Sequence, residues 1–133
     1  MDIQIEQYFI HTYITKNRQD RLLYKLSNPK KRGDGIQRFC HGTMQLIKPS
    51  MIRYQGKDVS VLQNNINMCQ ENQCYLISDD STIDGTWQDR ETVLSQIIGN
   101  GGASIAIFKD FVIIETEQVQ GAAEKFVLGS AVL

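Results

Sequence analysis

The chain has 133 residues, 41% hydrophobic and 22% charged, a size at which one domain over 1–133 can bury its own core. Its longest apolar runs, such as Ile105-Ala106-Ile107-Phe108 and Phe111-Val112-Ile113-Ile114, fall far short of the ~20 residues that span a bilayer, which excludes a transmembrane helix. The formal net charge of −1 conceals a split: residues 1–66 carry eleven Lys or Arg against five carboxylates, a net of +6, and residues 67–133 carry three against ten, a net of −7.

Ile5, Tyr8, Phe9 and Thr12/Tyr13 recur at helical spacing behind Asp2 and Glu6, acids placed where the helix macrodipole favours them, and predict a helix over 3–14. Asn17, with Asp20 three residues on, is a box-like start for a second helix whose apolar stripe is Leu22, Leu23 and Leu26; Ser27-Asn28-Pro29 stops it. Pro29 can open a third helix through Lys30, Lys31, Ile36, Phe39 and Cys40, against a cost of about 1 kcal/mol each for Gly33 and Gly35. Pro49 interrupts Leu46-Ile47-Lys48 and leaves Met51-Ile52-Arg53-Tyr54 as an extended piece ending at the Gln55-Gly56 turn.

Asp58 caps a short helix to Ile66, and Cys74-Tyr75-Leu76-Ile77-Ser78 has the apolar, β-favouring content of a strand. Residues 89–98 read as a helix with Val93, Leu94, Ile97 and Ile98 on one face and Gly99 as its C′ residue. Beyond Asn100-Gly101-Gly102, the runs 104–109 and 111–117 flank Lys109-Asp110 as an antiparallel hairpin, 120–123 is a loop and 125–128 a last strand. Helices first and strands later predict an α+β fold: N-terminal helices packed on a C-terminal antiparallel sheet of four to five strands, with one further helix.

Met1-Asp2-Ile3-Gln4 lacks the basic and apolar regions of a secretory leader, and Cys40, Cys69 and Cys74 show neither a disulfide framework nor metal-ligand spacing; a cytoplasmic protein with reduced thiols is expected. Cys40-His41 joins a nucleophile to a base, but neighbours on a helix point in different directions, and the pair reads as a buried thiol beside a hydrogen-bonding imidazole. With His11 and His41 the only histidines, a structural zinc site finds too few ligands. The glycine run at 99–102 follows a helix and enters a strand, the reverse of a phosphate-binding loop. Asp79, Asp80 and Asp84 lack the Gly and terminal Glu of a calcium loop and read as a solvated turn. No catalytic residue, cofactor or metal is expected.

Lys16, Arg18, Arg21, Lys25, Lys30, Lys31 and Arg32 interleave with Tyr13 and Tyr24, a mixture that suits RNA, although the periodic apolar positions favour charges that coat the solvated or internally paired faces of two helices. Asp79, Asp80, Asp84, Asp89 and Glu91 ring Trp87 within a short window. An exposed Trp among carboxylates is a hot spot for a basic protein partner, whereas a Trp that staples the following helix to the core needs no partner. Glu115 and Glu117 of the hairpin are a second candidate contact.

Three stretches carry a family resemblance: Arg21-Leu22-Leu23-Tyr24-Lys25-Leu26-Ser27-Asn28-Pro29-Lys30-Lys31-Arg32, then Arg38-Phe39-Cys40-His41, then Cys74-Tyr75-Leu76-Ile77-Ser78 through Asp84-Gly85. With the helix and hairpin that follow, they resemble small bacterial immunity proteins of contact-dependent growth inhibition and polymorphic-toxin loci. The resemblance implies a non-enzymatic cytoplasmic protein that binds a cognate toxin domain and blocks it, with a nuclease, in particular an EndoU-like ribonuclease, as the expected toxin. The charge split fits independently, because carboxylates can occupy a nuclease's basic cleft, speed association by steering and exclude substrate. The partner-binding candidates are then Asp79, Asp80, Asp84, Trp87, Asp89, Glu91, Glu115 and Glu117. The alternative is an RNA- or DNA-binding regulatory protein that uses the basic N-terminal helices.

Overall fold

Six antiparallel strands form one sheet with helices over both faces in the computed structural model, which describes residues 1–98, 103–116 and 124–129 and, at Cys40 and His41, the backbone alone. The helical layer comes first in the chain. Helix α1 (Ile3–Tyr13) starts on Asp2, whose side chain accepts from the Ile5 N–H. Helices α2 (Lys16–Ser27), α3 (Arg32–His41) and the short α4 (Thr43–Leu46) follow.

Two predicted starts shift. Helix α2 begins at Lys16 on Thr15, so Asn17 lies inside it rather than capping it. Helix α3 begins at Arg32 rather than Pro29, because Asn28 ties down a turn: its side chain accepts from the Lys30 N–H and its carbonyl from the N–H groups of Lys31 and Arg32. The end of α1 is pinned to the segment after α4 by bonds from the Thr15 N–H to the Leu46 carbonyl and from the Lys48 N–H to the Tyr13 carbonyl.

A 3-10 turn (Pro49–Met51) leads into β1 (Ile52–Gly56), then α5 (Val59–Met68), whose cap Asp58 accepts from the Ser60 N–H. Next come β2 (Gln73–Ser78), β3 (Thr86–Asp89) and α6 (Arg90–Thr92), which runs into a π-helical turn (Val93–Ile97). Strands β4 (Ser104–Ile107), β5 (Phe111–Glu115) and β6 (Lys125–Gly129) finish the described chain. The order across the sheet is β1-β6-β5-β4-β2-β3, with every neighbouring pair antiparallel.

The α+β class and the antiparallel sheet are as predicted, and the sheet is larger than expected. Strand β3 adds to it although Gln and Asp are weak strand formers, because Gly85, at φ 71°, turns the chain back along β2. The predicted helix over 89–98 is an α-helical turn followed by a π-helical one, and Val93, Ile97 and Ile98 are buried as their spacing requires. The glycine run at 99–102 and the loop at 120–123 lie outside the described residues.

Alternation along the strands divides the side chains between two cores. Tyr75, Ile77, Ile105, Ile107, Val112 and Phe126 pack with Phe9, Ile10, Tyr13, Leu26 and Phe39 of the N-terminal helices. Leu76, Ala106, Ile113 and Val127 pack with Leu62 and Ile66 of α5 and with Val93 and Ile97 on the opposite face. Strands β4, β5 and β6 are buried along their whole length, which explains their continuous apolar runs. Each large apolar side chain so buried contributes about 1.5–3 kcal/mol. Among the described residues no helix is long and apolar enough to cross a membrane.

Candidate protein-binding site

The buried stripe of α1 is Glu6, Phe9, Ile10 and Tyr13, so a carboxylate enters the interface between helix and sheet and needs a cation there. Arg32, the first residue of α3, supplies it. Its Nη1 and Nη2 donate to Glu6 Oε1 and Oε2 at 2.7 and 2.9 Å, and its Nε and Nη2 donate to Asp84 Oδ2 and Oδ1 at 2.6 and 2.9 Å. Nη1 also donates to the Leu26 carbonyl at 3.0 Å, which occupies all five guanidinium N–H groups and leaves none for a ligand.

The Tyr75 hydroxyl donates to Glu6 Oε2 and accepts from the Asp2 N–H, while Asp84 Oδ1 also accepts from the Ser78 N–H. Burial is the largest influence on Arg32 and opposes its charge, but the hydrogen bonds to Asp84 and Glu6 outweigh it and raise its pKa above the ordinary arginine value. Burial, then the bond to Glu6, pushes the Tyr75 phenol up as well. This network is architectural: it ties α1, α3 and the β2–β3 turn together.

It also decides where the predicted contact residues stand. Asp84 is held inward by Arg32 and is not on the open surface. Glu115 is buried on β5 opposite Lys125 of β6, with Lys125 Nζ 3.6 Å from its carboxylate, and Glu117 lies outside the described residues. Asp79, Asp80, Asp89 and Glu91 are exposed. Asp80 accepts from the Thr82 hydroxyl and N–H at 2.7 and 2.9 Å, and these bonds hold its carboxyl below the ordinary range. Asp89 caps α6 by accepting from the Thr92 N–H at 2.8 Å, which lowers its pKa in the same way. Glu91 lies 3.8 Å from Arg90 Nε, and Arg90 Nη1 is directed to the Cys69 carbonyl.

Trp87 is 47% exposed and stands edge-on to Tyr75, ring centres 5.5 Å apart. The structure therefore groups Trp87 with Asp89 and Glu91, places Asp79 and Asp80 at the opposite end of the four-residue β3, and withdraws Asp84 and Glu115 into the interior. Strand β3 is also an edge of the sheet. The Arg90 N–H donates to the Asn72 carbonyl, so by antiparallel alternation Thr86 and Gln88 face β2, whereas Trp87 and Asp89 turn their backbone N–H and C=O groups outward.

The basic residues divide likewise. Lys25 is buried against Asp34 at 2.6 Å and Arg32 is consumed, while Lys16, Arg18, Arg21, Lys30, Lys31 and Arg38 stay exposed. Arg18 and Arg38 line a cleft of about 210 Å³ with Gln37 and Gln45 where α2, α3 and α4 meet. Of the cysteines, Cys74 is a buried thiol pushed up to about 12, chiefly by burial, and Cys69 is partly buried; the side chains of Cys40 and His41 lie outside the described part. Among the described residues no His, Cys, Asp and Glu side chains gather as a metal-binding group.

Sequence reasoning does not reach the network of Glu6, Arg32 and Tyr75. The signal that could have found it is a charged residue standing on the apolar stripe of an amphipathic helix. No family model, curated protein or solved structure matches this chain.

Proposed function

We propose that this chain is a protein-binding inhibitor of the immunity type, which neutralises a cognate nuclease toxin by setting exposed carboxylates into the toxin's basic cleft. The observation that supports it is the β3 edge, where Asp89 and Glu91 remain in solvent beyond a half-exposed Trp87 and Asp79 and Asp80 remain in solvent at the opposite end of the strand. Carboxylates of one sign steer a cationic partner, and an exposed aromatic ring supplies the anchor that charge alone does not. Asp80 and Asp89 stay ionised below the ordinary carboxylate range because local N–H and hydroxyl donors hold them so. Beneath the turn, Arg32 grips Asp84, so the acidic residues sit on a rigid support.

The test is co-expression with a toxin domain encoded beside this chain. A one-to-one complex on size-exclusion chromatography and protection from killing are expected. Asp79→Lys with Asp80→Lys is expected to slow association about 10-fold at low salt, with Lys30→Glu and Lys31→Glu having little effect. A toxin that kills equally well with and without this chain overturns the reading.

A second reading, an RNA- or DNA-binding regulator, is favoured by the exposed Arg18 and Arg38 converging on one cleft with two glutamine amides. Retention of no RNA or DNA in a filter-binding assay at low salt removes it.

A further inference from the structure

On the side of the sheet covered by α1, Trp87 forms one wall of a groove of about 510 Å³, and Tyr8, on the outer face of α1, lines it too. Both rings are about half in solvent, Trp87 at 47% and Tyr8 at 49%. Ile5 and Ile107 supply the apolar lining, Ile5 partly buried and Ile107 buried. Tyr75, packed edge-on against Trp87, braces the indole from behind.

The polar lining is acidic. Glu71 lies just before β2 and Asp110 in the β4–β5 turn, with Lys109 as the opposing charge. Gln73, which pairs with Asp89 across the β2–β3 ladder, also lines the groove, while the Asp89 carboxylate itself is turned to the Thr92 N–H as the cap of α6. Aromatic faces beside carboxylates suit a cation and repel phosphates. An apolar occupant would strip water from the carboxylates and return nothing. Among cations, a planar guanidinium can stack on a ring while its N–H groups reach carboxylates, which a compact ammonium cannot do as well.

We propose that this groove receives an arginine side chain of a basic protein partner, its guanidinium lying against Trp87 and Tyr8 and hydrogen-bonded to Glu71 and Asp110. The inference rests on the reading that the β3 edge meets a protein, and it adds what that protein presents there. The groove and the Asp79–Asp80 turn lie on different parts of the surface, so each can be altered alone.

Trp87 is the sole tryptophan, so its indole N–H gives a single, assignable NMR signal from the groove wall. The full chain is titrated with acetyl-Gly-Arg-Gly-amide and, in parallel, with the same peptide carrying Lys or Leu at the centre. Expected is a saturable shift of the indole signal with the arginine peptide and binding at least about 3-fold weaker with the lysine peptide. Tyr8→Ala, and Glu71→Gln with Asp110→Asn, should each weaken arginine binding about 3-fold or more, with the rest of the spectrum unchanged.

An indole signal unmoved by the arginine peptide, or moved equally by the leucine peptide, overturns the proposal. Saturable arginine binding without protection from any toxin sustains the groove and removes the inhibitor reading. A toxin complex whose affinity ignores Tyr8→Ala and the Glu71→Gln, Asp110→Asn pair removes the groove and leaves the inhibitor reading standing.

Discussion

Arg32 and Asp84, 52 residues apart in the chain, meet in a two-point clasp, Nε to Oδ2 at 2.6 Å and Nη2 to Oδ1 at 2.9 Å. The same guanidinium holds Glu6, so one side chain joins the first residue of α3 to α1 and to the turn that carries Asp79 and Asp80. Arg32→Met would strand two carboxylates and is expected to cost about 3–5 kcal/mol, a measure of unpaired buried charge rather than of the pair's net worth. Arg32→Lys should recover only part of this, because an ammonium cannot serve two carboxylates with paired bonds. Urea denaturation measures both, and a loss below about 1 kcal/mol for Arg32→Met contradicts the assignment.

Glu115 and Asp79 are both acidic residues of the second half and should behave in opposite ways. Glu115→Ala removes the carboxylate that faces buried Lys125 and is expected to lower stability measurably while the folded fraction associates with its partner at the normal rate. Asp79→Lys with Asp80→Lys should slow association and lower the urea midpoint only slightly, through loss of the Thr82 bonds to Asp80. Stopped-flow mixing and denaturation on the same preparations separate the two effects.

Two glycine substitutions should differ in sign. Gly33 lies in α3 with open space where a Cβ would go, so Gly33→Ala is expected to raise stability by up to about 1 kcal/mol. Gly129 sits at φ 92°, and a Cβ there would fall 2.8 Å from the Asp110 carbonyl oxygen and 2.8 Å from the Tyr13 hydroxyl. Gly129→Ala is therefore expected to cost about 1–3 kcal/mol, read from thermal unfolding.

Stability should decline at both ends of the pH range. Asp34, held down chiefly by the Lys25 hydrogen bond, and Asp58, Asp80 and Asp89, held down by local donors, have pKa values below the ordinary 3.8. Their contribution is complete above that value and is lost as pH falls through the lowered ones, because the unfolded chain takes up protons first. At the alkaline end, burial raises Cys74 from 9.0 to about 12 and Tyr13 from 10.0 to about 12. The unfolded chain then releases protons first, so stability is full below pH 9.0 and declines as pH rises toward 12. Urea midpoints across the range check both limbs; a midpoint that rises above pH 9.0 contradicts the second.

Where one side of an element meets water and the other a core, as in α1 and α5, periodicity makes it legible, and β2 and the β4–β5 hairpin, buried on both faces, are legible as continuous apolar runs. Strand β3 is not legible, because Thr-Trp-Gln-Asp becomes a strand only through pairing with β2. The π-helical turn is hidden for a different reason, since Val93 and Ile97 would share a face in an ordinary α-helix too.

Glu6 is the most instructive residue. A stripe drawn through Ile5, Tyr8, Phe9 and Thr12/Tyr13 is one step off the buried one and leaves Glu6 in solvent; drawn through Phe9, Ile10 and Tyr13, it includes Glu6 and demands a buried cation. The identity of that cation is not local information, for Arg32 follows Lys30 and Lys31, both exposed. Asp84 and Glu115 fail in the same way: counting charges along a chain cannot tell a carboxylate held by a distant arginine from one in water.

Among the described residues the last strand in sequence, β6, occupies the slot between β5 and β1, the first. As the ribosome delivers residues 52–56 long before 125–129, β1 waits without a ladder partner while residues 57–124 are made, and a nascent chain halted short of residue 125 would leave the facing borders of β1 and β5 bare together. Such paired open borders invite strand exchange between chains, so slow synthesis just before residue 125 is the stage at which this protein is most exposed to aggregation.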